Sequence, residues 1–234
     1  MPYTTKAELY EFVANLRSEL RIDFTHYPIN MTRIITRREK VCVEYSDFIT
    51  RGLCGIAFIG EHYDTIILNN SRTHIEQSFD CAHELIHISK HRTCSENYFQ
   101  CCFEATRPSQ NSSLEWQANE GAAELLVPYL LLLPYIKNNA RLLRTRRGIQ
   151  VLKKNLADIF NVTETTIYYR LESLKYEISQ YLSDTPLNEI EILSNTRLFN
   201  LGKQLKSIND LENVYWNQEI SKMNAMCRSI NIAK

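Results

Sequence analysis

Net charge is what the chain most plainly lacks: 27 lysines and arginines stand against 27 aspartates and glutamates. Global electrostatics therefore give no drive toward nucleic acid or an anionic membrane surface. No apolar run approaches the ~18 residues that a membrane span needs. Residues Met1 to Leu20 mix charges with apolar side chains and lack the unbroken apolar core of a secretory signal. Regular cysteine spacing is missing as well. Seven cysteines, an odd number, fit reduced thiols better than a disulfide framework. Internal repeats and low-complexity linkers are also absent. Together these gaps predict a cytoplasmic protein with no membrane partner. What is present is 234 residues, 44% of them hydrophobic. That is enough for a substantial core, in one large domain or a domain with an appendage.

Within this neutral chain one pentapeptide concentrates chemistry: His83-Glu84-Leu85-Ile86-His87, an H-E-x-x-H pattern. On a helix, residues four apart lie on the same face, so two imidazoles at this spacing can share one Zn²⁺. Glu84 between them can act as the general base of a metal-assisted hydrolysis. A surface helix carrying two histidines is the plainer reading, and a shuffled chain of this composition shows the pattern roughly once in a hundred. Context has to decide. Thr73 with Glu76 forms a capping box that starts the helix. Counting 100° per residue places Ile75, Phe79, Ala82 and Ile86 on a buried stripe, with His83 and His87 at its edge. Cys81 lies well round the helix. His91 continues the spacing, but an exposed last-turn histidine is the simpler account of it.

The third ligand is not the histidine of the long metzincin pattern, because Thr93 occupies that place. A carboxylate from the following helix, residues 112 to 127, is the alternative. Ala118, Ala122, Leu125 and Leu126 form the buried stripe of that helix and Glu115 falls within it, whereas Glu120 and Glu124 fall on the solvent-compatible face. A buried carboxylate needs a partner. A zinc ion on two histidines would be one; the helix dipole near its N-terminus is the other. Asn119, one turn on, is placed to support the ligand shell. His91, Cys94, Cys101 and Cys102 offer four further ligand types, but their irregular spacing makes ordinary thiols the preferred reading over a second zinc site.

Before this pair of helices, Thr5 to Leu20 reads as a helix opened by a Thr5/Glu8 capping box. Val41 to Tyr45 reads as a strand, and Cys54–Ile59 with Thr65–Asn69 as a hairpin or sheet edge. After Pro128 the chain turns helical and basic: Lys137, Arg141, Arg144, Arg146, Arg147, Lys153 and Lys154 occur without an intervening acid. Leu156 to Ile178 then has the pattern of a helix-turn-helix, with Thr165, Thr166, Tyr169 and Arg170 outward. That segment either contacts DNA or is a helical hairpin that packs or docks on protein; the neutral chain favours docking. Leu198, Leu201, Leu205 and Ile208 form one stripe, and Ile220, Met223 and Cys227 suggest another. The divisions expected are 1–135 for a peptidase domain, 136–183 for the helix-turn-helix-like segment and 184–234 for a helical region of unassigned role.

The segments Ser78 to His87 and Glu115-Trp116-Gln117-Ala118-Asn119, followed by Ala122 to Pro128, resemble the core of the ImmA/IrrE family of zinc metallopeptidases. Ile67-Leu68-Asn69 is similar to the strand that precedes the helix in that family. The resemblance implies an α+β, zincin-like core with a small sheet and a mostly helical C-terminal region. It implies one Zn²⁺ per chain held by His83, His87 and Glu115, with Glu84 as base. It also implies a protein substrate, namely a helix-turn-helix transcriptional repressor whose cleavage relieves repression of mobile elements or stress genes. The strand carrying Ile66 and Leu68 would pair with the extended substrate by main-chain hydrogen bonds. Two positions depart from the family pattern. Ile86 stands where H-E-L-G-H has glycine, and Gly121 stands where an aromatic is common. Two rivals to the enzyme reading are a DNA-binding or protein-binding regulator with a peptidase-like sensor core and a toxin–antitoxin partner that works by binding.

Overall fold

The computed structural model describes residues 4–92, 98–102 and 112–203, with Cys101 and Cys102 described through their backbone alone. The fold is α+β, mostly helical with one small mixed sheet. Its described residues form two compact units. The first comprises Glu8–Pro128 with Ala157–Thr163; the second comprises Thr5–Ala7, Tyr129–Leu156 and the residues from Glu164 on.

In the first unit, α1 (Lys6–Glu19) and the short α2 (Met31–Ile35) precede β1 (Val41–Ser46), β2 (Leu53–Phe58) and β3 (Asp64–Asn69). Then come α3 (His74–Lys90), β4 (Tyr98–Cys102) and α4 (Ser112–Leu126). The strand order is β1-β3-β2-β4. β1 runs parallel to β3, whereas β2 is antiparallel to both β3 and β4. β2 and β3 are thus the hairpin that the apolar runs predict. β3, however, lies inside the sheet, and not at its edge. Its backbone is paired on both sides and Ile66 and Leu68 are completely buried, so the expectation that this strand receives a substrate is wrong. Period-2 alternation puts Ile66 and Leu68 on the core face in either position, so it cannot tell an inner strand from an outer one.

α3 packs on β2, β3 and β4 on one side and against α4 on the other. It therefore buries nearly its whole circumference from Gln77 to Ile88, with Ile75 left exposed at its start, contrary to the stripe drawn from periodicity. α4 is also covered on two sides. Glu120 and Glu124, expected to face solvent, are buried: Tyr10 Oη donates to Glu120 at 2.5 Å and Arg17 pairs with Glu124 at 3.3 Å. The face opposite the α3 contact is occupied by α1, and it carries the acids that α1's polar groups satisfy.

In the second unit, α5 (Tyr129–Asn138) packs on α8 (Lys175–Leu182). α6 (Arg146–Phe160) begins in this unit, its last turn and Asn161, which takes φ 50°, belong to the first, and α7 (Glu164–Ser173) follows in the second. Asparagine tolerates this left-handed turn because its short polar side chain compensates locally. Lys6 is buried in this unit, donating to Glu177 at 2.9 Å and to the Ser173 carbonyl at 2.7 Å. In α7, Thr165 is exposed, Thr166 half-buried and Tyr169 66% exposed, but Arg170 is only 1% exposed; its outward placement is corrected. Leu198 of α9 (Asn195–Asn200) is buried while Leu201 is exposed, so the proposed stripe holds at one of these two positions. Leu205, Ile208, Ile220, Met223 and Cys227 lie outside the described residues. No described helix is long and apolar enough to cross a membrane.

Candidate metal centre

The capping box forms as the sequence predicts. Glu76 Oε2 accepts from the Thr73 N–H at 2.9 Å, and Thr73 Oγ1 accepts from the Glu76 N–H at 3.4 Å. This fixes the first turn of α3, and three turns later His83, Glu84 and His87 are fully buried. His83 Nε2 and His87 Nε2 lie 3.1 Å apart. The two oxygens of Glu115 lie 3.4 Å away, Oε2 from His83 Nε2 and Oε1 from His87 Nε2. Among the described residues these three form the group able to hold a metal ion. For ligands at about 2.0–2.1 Å from a tetrahedral Zn²⁺, neighbouring donor atoms sit about 3.3–3.4 Å apart. Two of the three edges have that length and the third is slightly shorter.

The far side of each ring defines where its protons are. His83 Nδ1 is 3.1 Å from Asn119 Oδ1, an oxygen that can only accept, so Nδ1 carries the hydrogen and a neutral ring leaves Nε2 bare. His87 Nδ1 is 2.9 Å from His91 Nδ1, and His91 Nε2 is 3.4 Å from Gln117 Oε1. Gln117 donates its amide to Ser113 Oγ at 3.4 Å. Read from that end, Gln117 Oε1 accepts from His91 Nε2–H, His91 Nδ1 is bare and accepts from His87 Nδ1–H, and His87 Nε2 is bare. Burial, and then the neighbouring rings, push the His87 pKa far down; burial lowers that of His91 to about 4. Both rings are neutral. Two bare nitrogens and a carboxylate therefore converge on one point with no donor among them. That set fits a divalent cation.

Glu84 is not part of the group. Its carboxylate lies against β2 at Gly55, where an added Cβ would come within 2.9 Å of Oε1. Phe99 of β4 stacks on the His87 ring at 4.4 Å between centroids. The structure thus brings together His83, His87 and Glu115 of the four residues expected from the two motifs, with Asn119 behind His83 and Glu84 beside them on α3. It also adds three that sequence reasoning missed. His91 is 1% exposed and bonded to a ring of the group, where an exposed helix end was expected; its four-residue spacing was the visible signal. Gln117 and Gly55 gave no signal at all. Thr165, Thr166, Tyr169 and Arg170 belong to α7 in the other unit. Cys94 and the side chains of Cys101 and Cys102 lie outside the described residues, and with them the choice between ordinary thiols and a second zinc group.

A family model described as the IrrE N-terminal-like domain, of the peptidase class, matches residues 49–172. No curated protein sequence matches. Among solved structures, a Mycobacterium tuberculosis transcriptional regulator is similar with a TM-score of 0.47 and 15% identity, covering 70% of this chain and 46% of that one. The present chain therefore spans less than half the length of that regulator. With more than half of its residues matched by the family model, and with the H-E-x-x-H helix inside the matched region, the chain belongs to the IrrE N-terminal-like family of peptidase domains.

Proposed function

We propose that this chain is a zinc-dependent endopeptidase whose substrate is a helix-turn-helix transcriptional repressor. The observation that carries the metal reading is the convergence of His83 Nε2, His87 Nε2 and the Glu115 carboxylate, with both Nδ1 hydrogens already committed elsewhere. Zinc bound there supplies Lewis acidity toward a scissile carbonyl and toward water. Asn119 and His91 hold the two rings so that their lone pairs face the ion, as the outer partners of metal-bound histidines generally do. Glu84 accepts the proton of the attacking water and returns it to the leaving amine. The extended substrate pairs with β4. Among the described strands β4 has β2 as its sole partner and leaves its other edge open, and its Phe99 touches His87. Main-chain bonds to such an edge hold a peptide without regard to most of its side chains.

The repressor as substrate rests on family likeness. The exposed Tyr169, next to Tyr168 on α7, is the docking contact we assign to it. Metal analysis tests the centre. The purified chain should carry about one zinc, with three protein ligands and one open position. His83→Ala and Glu115→Ala proteins that stay folded should lose most of it, and full zinc occupancy in both would refute the ligand set.

A further inference from the structure

One contiguous stretch, from the end of α1 to Arg38 ahead of β1, lines a half-open cavity of about 830 Å³ remote in sequence from every metal-centre residue. That volume is within the range of about 300–1,000 Å³ typical of small-molecule sites. Its walls carry four arginines, Arg21, Arg33, Arg37 and Arg38, and a single acid, Glu19. In a chain with equal numbers of acids and bases, this is a strong local excess. Asp23, next to Ile22 of the lining, is occupied: it accepts from the Thr25 N–H at 2.8 Å and faces His26 at 3.4 Å. Arg38 donates to the Glu19 carbonyl at 2.7 Å, at the C-terminal end of α1. Arg21, Arg33 and Arg37 form no ion pair with any described residue. Arg33 and Arg37 are four residues apart, in α2 and just past its end. The lining also carries apolar side chains that are not buried, Leu20, Pro28 and Ile34, beside the polar His26 and Asn30.

We infer that this cavity is a binding site for a nucleoside polyphosphate. The arginines take the phosphates, and the accessible apolar side chains of Leu20, Pro28 and Ile34 take the base. Guanidinium forks match phosphate oxygens in pairs and cannot lose their charge at any physiological pH. The apolar part of the lining separates this ligand from a bare phosphate, because part of the affinity then comes from burying a flat ring. The site is built from residues other than those of the metal centre and does not depend on the peptidase reading.

The test is calorimetric titration of the full-length protein with ATP, with inorganic tripolyphosphate and with a short DNA duplex, each at low and moderate salt. ATP should bind at one site per chain, and tripolyphosphate at least about tenfold more weakly, because it lacks a ring to bury. Replacing Arg33→Gln and Arg37→Gln together should weaken ATP binding by about tenfold or more, with zinc content and circular dichroism unchanged. Arg21→Gln is a second variant on a separate turn should the double change disturb α2. The inference is overturned if ATP fails to bind at millimolar concentration, or if the arginine variants bind it undiminished. Equal binding of tripolyphosphate would overturn it too, as would duplex DNA displacing ATP.

Discussion

His87 and His91 meet Nδ1 to Nδ1 at 2.9 Å, and that contact has room for one hydrogen. A second proton on the pair would put two N–H groups against each other in a buried site. Burial accordingly holds His91 at a pKa of about 4 against an ordinary 6.5, and pushes His87 down in the same direction. Between these values the unfolded chain binds more protons than the native one. The stability due to the neutral rings is thus fully present above pH ~6.5 and lost as pH falls toward ~4. In the metal-free protein the thermal midpoint should drop across that window, by an amount on the order of 2–3 kcal/mol in stability. A midpoint that stays flat from neutral pH to about pH 4.5 would contradict the neutral-ring network. Gly55 acts at the same scale. A Cβ there would come within 2.9 Å of Glu84 Oε1, the flexible end of the side chain, so the carboxylate moves and not the strand. Gly55→Ala should keep zinc and fold but reduce cleavage by about a hundredfold, the loss expected of an ångström-scale displacement of a reacting group. Single-turnover cleavage rates would show it; wild-type rates would mean that Glu84 needs no such support. Nothing in the sequence distinguishes Gly55 from any other glycine, because its role is set by a helix that comes nearly thirty residues later.

Elements were legible wherever their signal is local. The caps of α3, the apolar runs of β2 and β3, and Glu115 on the buried side of α4 all follow from periodicity and turn chemistry. What periodicity could not supply is the identity of the neighbours. β3 is internal because β1, distant in sequence, adds to it in parallel. Glu120 and Glu124 are buried because α1 lies on the second face of α4 with a tyrosine and an arginine in place to meet them. The two departures from the family pattern also resolve at this scale. A Cβ on Gly121 would sit 3.1 Å from both Cδ1 and Cγ1 of Ile86. The large side chain on α3 thus fills the space left by the absent one on α4, a volume-conserving exchange between two helices. Gly121→Phe alone should destabilise the protein by about 1–3 kcal/mol through overpacking. Ile86→Gly alone should destabilise it by about 2–5 kcal/mol through a cavity. The double change should recover more than about 1 kcal/mol of the sum, as residues in contact couple. Chemical denaturation of the four proteins measures this, and additivity within about 0.5 kcal/mol would show that the pair does not compensate.

The whole molecule joins the unit that carries the His83, His87 and Glu115 group to a helical one, and the family match runs from the first into the second. The chain's electrical neutrality conceals two local concentrations of positive charge. One is the arginine-walled cavity. The other is the run from Lys137 to Lys154, where Lys137 is already paired with Asp184 at 2.9 Å. With Arg170 buried and Tyr169 exposed on α7, the segment offers an aromatic surface suited to a protein partner more than a charged one suited to a phosphate backbone. The peptidase reading depends on Glu84 working as a base beside a bound metal and not as a structural acid. The direct measurement takes wild-type and Glu84→Gln proteins, determines zinc per chain in each, and incubates both with a helix-turn-helix repressor as the candidate substrate. The account predicts about one zinc in both proteins. It also predicts cleavage by the wild type that a chelator stops, and no cleavage by Glu84→Gln, whose amide cannot take up a proton from water. Undiminished cleavage by Glu84→Gln, or zinc-loaded wild-type protein that binds the repressor and leaves it whole, would contradict it.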